Sequence, residues 1–168
     1  MRKPSIYVDT NIFSILYYRG ADIRQLSRRL TTREWWEQGR PYFRVVSSAV
    51  TESELRRGTF RSQEKAIAAC RRSDYLTINA AVESCGRTLV DEGLVPESKP
   101  GDALQLAIVT HYGIEYLLTW NYAHLANPEV QRKLEEVARR MKWKATTIVS
   151  PETIARRSLG RPTPRRRR

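Results

Sequence analysis

Residues 5–11 of the chain read Ser5-Ile6-Tyr7-Val8-Asp9-Thr10-Asn11. Ile6, Tyr7 and Val8 are β-formers and predict a short strand. The strand ends on Asp9, and an apolar helical pattern begins directly after it. A strand that brings a carboxylate to its C-terminal end is typical of open α/β sheets, whose ligands bind outside the carboxyl ends of the strands. Taken alone, Asp9 is better explained as the N-cap of that helix, so a functional interpretation requires other acids at the same edge.

The length and composition predict one globular domain. The 168 residues suffice for a real hydrophobic core, and no apolar run approaches the ~20 residues that span a bilayer. The N-terminus leads straight into the first strand, which leaves no room for a signal peptide. Cys70 and Cys85 lie in helix-like sequence without a second Cys or His at ligand spacing, so we expect buried thiols. We therefore expect a cytoplasmic protein with no membrane partner.

The charge is strongly positive, at +12 from 30 basic and 18 acidic residues. Residues 156–168 contain seven arginines and no acid, so the rest of the chain still carries +5. We predict a folded domain over residues 1–155 and a basic, disordered tail over 156–168. The usual partners of such charge are nucleic acids first and acidic proteins second. A basic protein without an anionic ligand remains the alternative, and the tail could guide RNA, bind an acidic partner or simply be solvated.

Strand patterns alternate with helical patterns along the chain. This alternation predicts an α/β fold of three layers, with a mostly parallel central sheet covered by helices on both faces. The clearest helix opens at Asp102 and is apolar nearly all the way round, so it should be well buried. In this architecture Asp9, Asn121 and the segment containing Glu54 follow strand ends at one edge. Strands are predicted at residues 5–8, 42–47, 75–78, 116–119 and 146–150.

Carboxylates that converge at one edge require a chemical reason, because like charges repel and raise each other's pKa. Mg²⁺ or Mn²⁺ satisfies this requirement with a few oxygen ligands, and such an ion can activate water for attack on a phosphate. Glu52 and Glu54 are two residues apart, so only one of them can face the strand ends. Two structural alternatives stay open, a capping box of Thr51 with Glu54 and a helix-dipole role for Asp102.

Four segments carry a resemblance to a known family. They are Tyr7–Asn11, Ser48–Gly58, Asp102–Ala107 and Leu117–Asn121, in this order. With these segments the sequence resembles the PIN-domain ribonucleases, the group that includes the VapC-type toxins of toxin–antitoxin systems. The resemblance extends over residues 5 to 150 and implies a PIN-like α/β/α fold and a Mg²⁺- or Mn²⁺-dependent endoribonuclease.

The resemblance also implies a set of site residues. It places the metal-binding and catalytic groups at Asp9, Glu54 rather than Glu52, Asp102 and Asn121, with Thr10, Asn11 and Thr119 as supporting groups. Many members have Asp at the fourth position, where this chain has Asn121. An amide can ligate Mg²⁺ or hold a water, but it adds no charge, which leaves open whether a second metal binds. His124 follows closely, and we favour a structural role for it over phosphate contact.

The implied partners are an RNA substrate, a small antitoxin that covers the site, and a second copy of the chain in a homodimer. The function would then be that of the toxin of a type II toxin–antitoxin pair. Two alternatives remain. One is a PIN-like domain that binds RNA or a partner without cutting, which Asn121 and the basic tail favour. The other is a metal-dependent DNA nuclease or phosphatase.

Overall fold

The computed structural model describes residues 2–158, with the backbone alone for residues 155–158. Five strands form one sheet in the order β3-β2-β1-β4-β5, and all neighbouring pairs are parallel. The prediction of a parallel-sheet α/β fold is therefore confirmed. The strands are β1 (Ser5–Val8), β2 (Arg44–Ser48), β3 (Asp74–Leu76), β4 (Tyr116–Leu118) and β5 (Thr147–Val149).

Helices cover both faces of the sheet and make it the middle of three layers. The α-helices are α1 (Thr10–Leu16), α2 (Ile23–Glu34), α3 (Ala49–Arg57), α4 (Gln63–Arg71), α5 (Ala80–Asp91), α6 (Pro100–His111), α7 (Pro128–Arg140) and α8 (Pro151–Ser158). One face packs against α5, α6 and α7, and the other packs mainly against α1, α3, α4 and α8 together with the two tryptophans that follow α2.

Strand β1 lies at the centre of the sheet and is fully buried. Tyr7 points into the core on the α5–α7 side, whereas Ile6 and Val8 point into the core on the other side, as the two-residue period of a strand requires. The chain moves from β1 to β2 and β3 on one side, and then returns to β4 and β5 on the other. The carboxyl end of β1 is thus the point where the strand order reverses, which is where ligands bind in open α/β sheets.

Several element boundaries differ from those that the sequence predicts. The strand predicted at 42–47 begins only at Arg44, because residues 40–42 form a 3₁₀ turn that contains Pro41. Before it, Trp35–Gly39 forms a π-helical turn. A Cβ on Gly39 would lie only 2.6 Å from Cδ1 of Trp35, so this turn depends on the small residue beside the buried indole.

Two further boundaries concern α6 and the C-terminal region. Helix α6 begins at Pro100 rather than at Asp102, since proline is well tolerated in the first turn, where its missing N–H has no helical partner. Helix α8 continues to Ser158, three residues beyond the predicted domain boundary. Residues 159–168 of the predicted tail lie outside the described residues. In the described part, no helix is long and apolar enough to cross a membrane, and Cys70 and Cys85 are buried free thiols.

Candidate active site

Asp9 occupies the position between β1 and α1, and its side chain does not cap the helix. Its backbone N–H continues the sheet by donating to the Leu118 carbonyl at 3.1 Å. The carboxylate Oδ2 accepts from Thr119 Oγ1 at 2.5 Å and also from Asn11 Nδ2. Asp9 is only 4% exposed. The helix-cap explanation of this residue therefore does not hold, and its carboxylate is held rigidly at the sheet edge instead.

Asn11 and Thr119 connect the start of α1 to the end of β4. Asn11 Nδ2 donates to Thr119 Oγ1 at 3.1 Å, and Asn11 Oδ1 accepts from the Trp120 backbone N–H at 2.9 Å. Thr119 Oγ1 in turn accepts from the Asn121 backbone N–H at 2.9 Å. Each group has a defined donor or acceptor role, so the network fixes the orientation of the Asp9 carboxylate.

Glu54 faces the same edge from α3. Its Oε2 accepts from Thr10 Oγ1 and, at 3.1 Å, from Gln105 Nε2. The alternative capping box is absent here, because the Thr51 hydroxyl instead lies 2.9 Å from the buried Tyr7 hydroxyl. The Glu54 carboxylate is therefore part of the cluster around Asp9 rather than a helix cap.

Glu52 lies on another side of α3 and has a structural environment. Its Oε1 accepts from Arg56 at 2.8 Å and from Arg71 at 2.7 Å, and Oε2 accepts from the Tyr75 hydroxyl at 2.7 Å. The hydrogen bonds from Arg71, Tyr75 and Arg56 lower the pKa of Glu52 to about 2. Glu52 therefore links α3 to α4 and β3, away from the carboxyl end of β1.

Asp102 is the third residue of α6 and approaches the edge from the opposite face of the sheet. Its Oδ2 accepts from Asn121 Nδ2 at 3.3 Å. Burial raises the pKa of Asp102, against the opposing effects of the His124 and Lys99 charges and of the Asn121 hydrogen bond. The helix-dipole explanation still applies to this residue as well, because an acid in the first turn is favourable there.

Gln105 is a site residue that the sequence reasoning missed. It is 1% exposed and lies one turn after Asp102 on α6. Its Nε2 donates to Glu54, and its side chain also hydrogen-bonds to Asp9. Its Oε1 has no donor among the described residues. The signal was present in the sequence, since Gln105 is the one polar residue in the apolar segment Ala103–Val109.

Gly101 allows α3 and α6 to approach each other at the site. A Cβ added at this position would overlap Oε1 of Glu54. The glycine is thus required for the observed position of the Glu54 carboxylate, which occupies the space that any larger residue would take.

The cluster concentrates negative charge that the described residues do not fully compensate. The pKa of Asp9 is raised to about 6, chiefly by burial and further by the charges of Glu54 and Asp102, against the lowering effect of hydrogen bonds from Thr119 and Gln105. Amide groups separate the acids, since Gln105 lies between Asp9 and Glu54 while Asn121 contacts Asp102.

The donor chemistry of this cluster fits a hard divalent cation. Its carboxylate and amide oxygens are the ligands that Mg²⁺ and Mn²⁺ prefer. Within residues 2–158, however, no three His, Cys, Asp or Glu side chains are already gathered as a metal site. Asn121 Oδ1 accepts from the His124 backbone N–H at 3.1 Å, which leaves that oxygen one further lone pair. The residues therefore fit such an ion by type and charge.

Comparisons with known proteins place this geometry in context. A family model described as the PIN domain matches residues 6–128, and this match confirms the resemblance seen in the motifs. No curated protein sequence matches the chain. Among solved structures, the chain is similar to VapC20 of Mycobacterium tuberculosis, described as a toxin that cleaves the sarcin-ricin loop. The identity is 21%, the TM-score is 0.48, and the match covers 67% of this chain and 87% of that one.

Proposed function

The chain belongs to the PIN domain family, and from this premise we propose that it is a Mg²⁺- or Mn²⁺-dependent endoribonuclease. We further propose that it acts as the toxin of a type II toxin–antitoxin pair. The observation that carries the proposal is the position of Asp9, buried at the carboxyl end of the central strand with Glu54 and Asp102 close enough to raise its pKa. Such a cluster of acids is explained by a cation that binds between them.

In this proposal Asp9, Glu54 and Asp102 hold the ion, and Asn121 is a fourth, uncharged position that acts through Oδ1 or through a water. When bound, the cation supplies charge stabilisation to the reacting phosphate and activates the attacking water. Thr119 and Asn11 donate to Asp9 Oδ2 and so aim its free oxygen. Thr10 has the same role for Glu54.

Gln105 has a different role in the proposed site. Its amide nitrogen donates to Glu54, and its side chain also lowers the pKa of Asp9, so Gln105 reduces the repulsion between the two carboxylates. Since a neutral donor compensates less charge than a divalent cation does, Asp9 keeps a raised pKa. The cation would then compete with protons for the cluster, and binding should strengthen as the pH rises through the pKa of Asp9.

The proposed partners follow from the family and from the charge. The net charge of +12 favours RNA as the substrate, because phosphate contacts dominate nucleic-acid affinity. It also favours an acidic segment in the small antitoxin that would cover the site. We propose a homodimer that acts in the cytoplasm and has no membrane partner.

A second candidate function is RNA or partner binding without cleavage. Asn121 favours it, because an amide replaces a fourth acid and its nitrogen rather than its oxygen contacts Asp102. This candidate predicts RNA binding that survives the loss of Asp9 or Asp102. The endoribonuclease predicts that the same substitutions abolish strand cleavage.

The test is cleavage of total cellular RNA with Mg²⁺ or Mn²⁺, with and without EDTA. Asp9→Asn and Asp102→Asn should abolish cutting while the proteins remain folded and unfold cooperatively on heating, whereas Glu52→Gln serves as the matched control that keeps cutting. Metal-dependent cutting lost only in the first two variants would support the endoribonuclease. RNA binding by a folded wild type that never cuts would transfer the assignment to the binding-only candidate. Added DNA that is itself cut, and that competes with the RNA for cleavage, would identify a DNA nuclease instead of either candidate.

A further inference from the structure

A cavity of about 500 Å³ adjoins the candidate active site on the α1–α2 side. Its size is in the range of small-molecule sites. Two of its lining residues are Asn11, which donates to Asp9, and Asn121, which donates to Asp102. The cavity therefore begins at the two amides that position the acids, so a group bound in it would lie beside the proposed scissile phosphate.

Flat aromatic and guanidinium surfaces form much of the cavity wall. Tyr18, Phe60, Trp120 and Arg28 line it. The guanidinium of Arg28 lies 5.3 Å from the centroid of the Trp120 ring and 5.9 Å from that of Tyr122. Trp120 itself is held in place, since its Nε1 donates to Thr32 Oγ1 at 2.8 Å. Aromatic rings and arginine guanidinium planes are the groups on which proteins stack unpaired RNA bases.

A second cavity, of about 490 Å³, continues from the first across Phe60, which lines both. Arg19, Arg61 and Lys65 line it together with a single acid, Glu64. All three cations are exposed, and none forms an ion pair with another described residue. Cations that have no ion-pair partner in the described part of the chain, next to a cavity large enough for a base, are suited to the phosphates of neighbouring nucleotides.

We infer that these two cavities form one binding track for single-stranded RNA, with a base on Arg28 and Phe60 and the adjoining phosphates on Arg19, Arg61 and Lys65. The inference deepens the proposed function and rests on it, because it names which surface holds the substrate. An acidic peptide could pair with the cations of the second cavity, but its carboxylate side chains have no planar base to stack in the first cavity. The track runs on the α1–α4 side of the sheet, so the surfaces of α5 and α7 should contribute little.

The first experiment measures binding separately from cleavage. Full-length protein in EDTA is titrated into fluorescein-labelled oligo(A) of about ten nucleotides, and anisotropy is followed over a range of salt. Each single-strand phosphate contact contributes about 0.7 to the slope of log K against log salt. The double substitution Arg61→Ala/Lys65→Ala should therefore reduce the slope by about 1.4.

The matched control removes the same charge from the opposite face of the sheet. Arg87 on α5 and Arg139 on α7 are also exposed and form no ion pair with a described residue. Arg87→Ala/Arg139→Ala should leave the slope nearly unchanged. Equal reductions in the two double variants would overturn the track, because they would show that net charge alone attracts the RNA.

The second experiment separates base stacking from charge at Arg28. Arg28→Lys keeps the charge but removes the planar guanidinium. We expect about fivefold to tenfold weaker oligo(A) binding, from the loss of one stacking contact, with an unchanged salt slope. Unchanged affinity would overturn the base site. If an oligo-glutamate peptide displaced the labelled oligo(A) more effectively than unlabelled oligo(A) does, that result would also overturn the track, in favour of an acidic protein partner.

A failure of the track can be distinguished from a failure of the proposed function. Expected binding changes together with absent metal-dependent cleavage would contradict the endoribonuclease and leave the RNA track standing. Metal-dependent cleavage, together with oligo(A) binding that does not change when Arg28, Arg61 and Lys65 are substituted, would contradict the track and leave the endoribonuclease standing. Thermal unfolding of each variant ensures that lost binding is not lost folding.

Discussion

Asp9 ionises in a place where burial and two neighbouring carboxylates, Glu54 and Asp102, all oppose its charge. Two of the hydrogen bonds that it accepts come from Thr119 and Asn11, residues whose other contacts link α1 to β4. Groups at functional sites often reduce the stability of the fold, and here the burial of Asp9 and the nearby carboxylate charges have this effect. At the scale of a residue, the cation-free site should therefore be measurably unfavourable for the folded state.

Asp9→Asn should stabilise the cation-free protein at neutral pH. The folded pKa of about 6 lies above the ordinary value of 3.8, so the penalty is absent below pH 3.8, grows between these values and is complete above pH 6. In EDTA at pH 7.5, urea unfolding should show a gain on the order of 2 kcal/mol for the variant, with no gain near pH 3. Mg²⁺ or Mn²⁺ should then stabilise the wild type and not the variant. If Asp9→Asn and the wild type had equal unfolding free energies at both pH values, the predicted cost of ionising Asp9 would be contradicted.

Glu54→Gln and Glu52→Gln should have opposite effects on activity and stability. Glu54→Gln should abolish RNA cleavage without lowering the free energy of unfolding. Glu52→Gln should keep cleavage and lower that free energy at pH 7 by about 1 kcal/mol, because it removes the ion pairs with Arg56 and Arg71.

The contribution of Glu52 should also depend on pH in the sense opposite to that of Asp9. Its pKa is lowered from 4.5 to about 2, so its stabilisation is complete above pH 4.5 and disappears as the pH falls through about 2. Urea unfolding of wild type and Glu52→Gln at pH 7 and pH 3 measures this loss. A larger loss of cleavage in Glu52→Gln than in Glu54→Gln would show that the other glutamate is the functional one.

Helix α6 is the element that contributes most to the candidate site. Its first turns contain Gly101, Asp102 and Gln105, while the following residues are buried in the core and hold the helix in place. Helix α3 supplies Glu54 from the opposite face of the sheet. The spacing between these two helices is set at Gly101, where the Glu54 carboxylate takes the place of a side chain.

Gly101→Ala should displace Glu54 and reduce cleavage at least about tenfold, since misplaced catalytic groups lose large factors in rate. Gly86→Ala on α5 is the matched control, because its new Cβ would lie at an ordinary 3.5 Å from Ala107 Cβ. It should keep cleavage and leave the melting temperature equal or higher. Cleavage assays and thermal unfolding of both variants make the comparison. Full activity in Gly101→Ala would show that the Glu54 position is not critical.

The sheet, and the edge at which the candidate acids come together, could be predicted because they depend on local patterns. Short β-branched runs that alternate with helices imply a parallel sheet, and the carboxyl ends of its strands then meet at one edge. The choice between Glu52 and Glu54 could not be made from spacing, since their ion-pair and hydrogen-bond partners are distant in sequence. Gln105 was missed because a polar residue in an apolar helix has no pattern of its own. The π-helical turn at Trp35–Gly39 depends on tertiary packing.

At the scale of the whole molecule, charge is distributed between the body and the C-terminal residues. Residues 156–168 contain seven of the 30 basic residues, and the second cavity concentrates three exposed cations beside the site. Both should add to RNA affinity through counterion release.

Truncation after Ser158 tests the C-terminal contribution and keeps α8 intact. It removes five arginines, Arg161 and Arg165–Arg168. RNA binding should weaken, and the salt slope should fall by up to about 3.5, while the positions of cleavage stay the same because the candidate site lies outside the removed residues. Anisotropy and mapping of cleavage products measure the two effects. An unchanged slope would mean that these arginines do not contact RNA.

Strand β1 precedes the other four described strands in the chain, yet it is the centre of the sheet. Its partner β4 begins only at Tyr116, and the network around Asp9 requires Thr119, which is 110 residues further along the chain. Such long-range pairing slows folding. A ribosome must therefore complete more than two thirds of this chain before the acids can meet, so shorter products should lack the assembled candidate site.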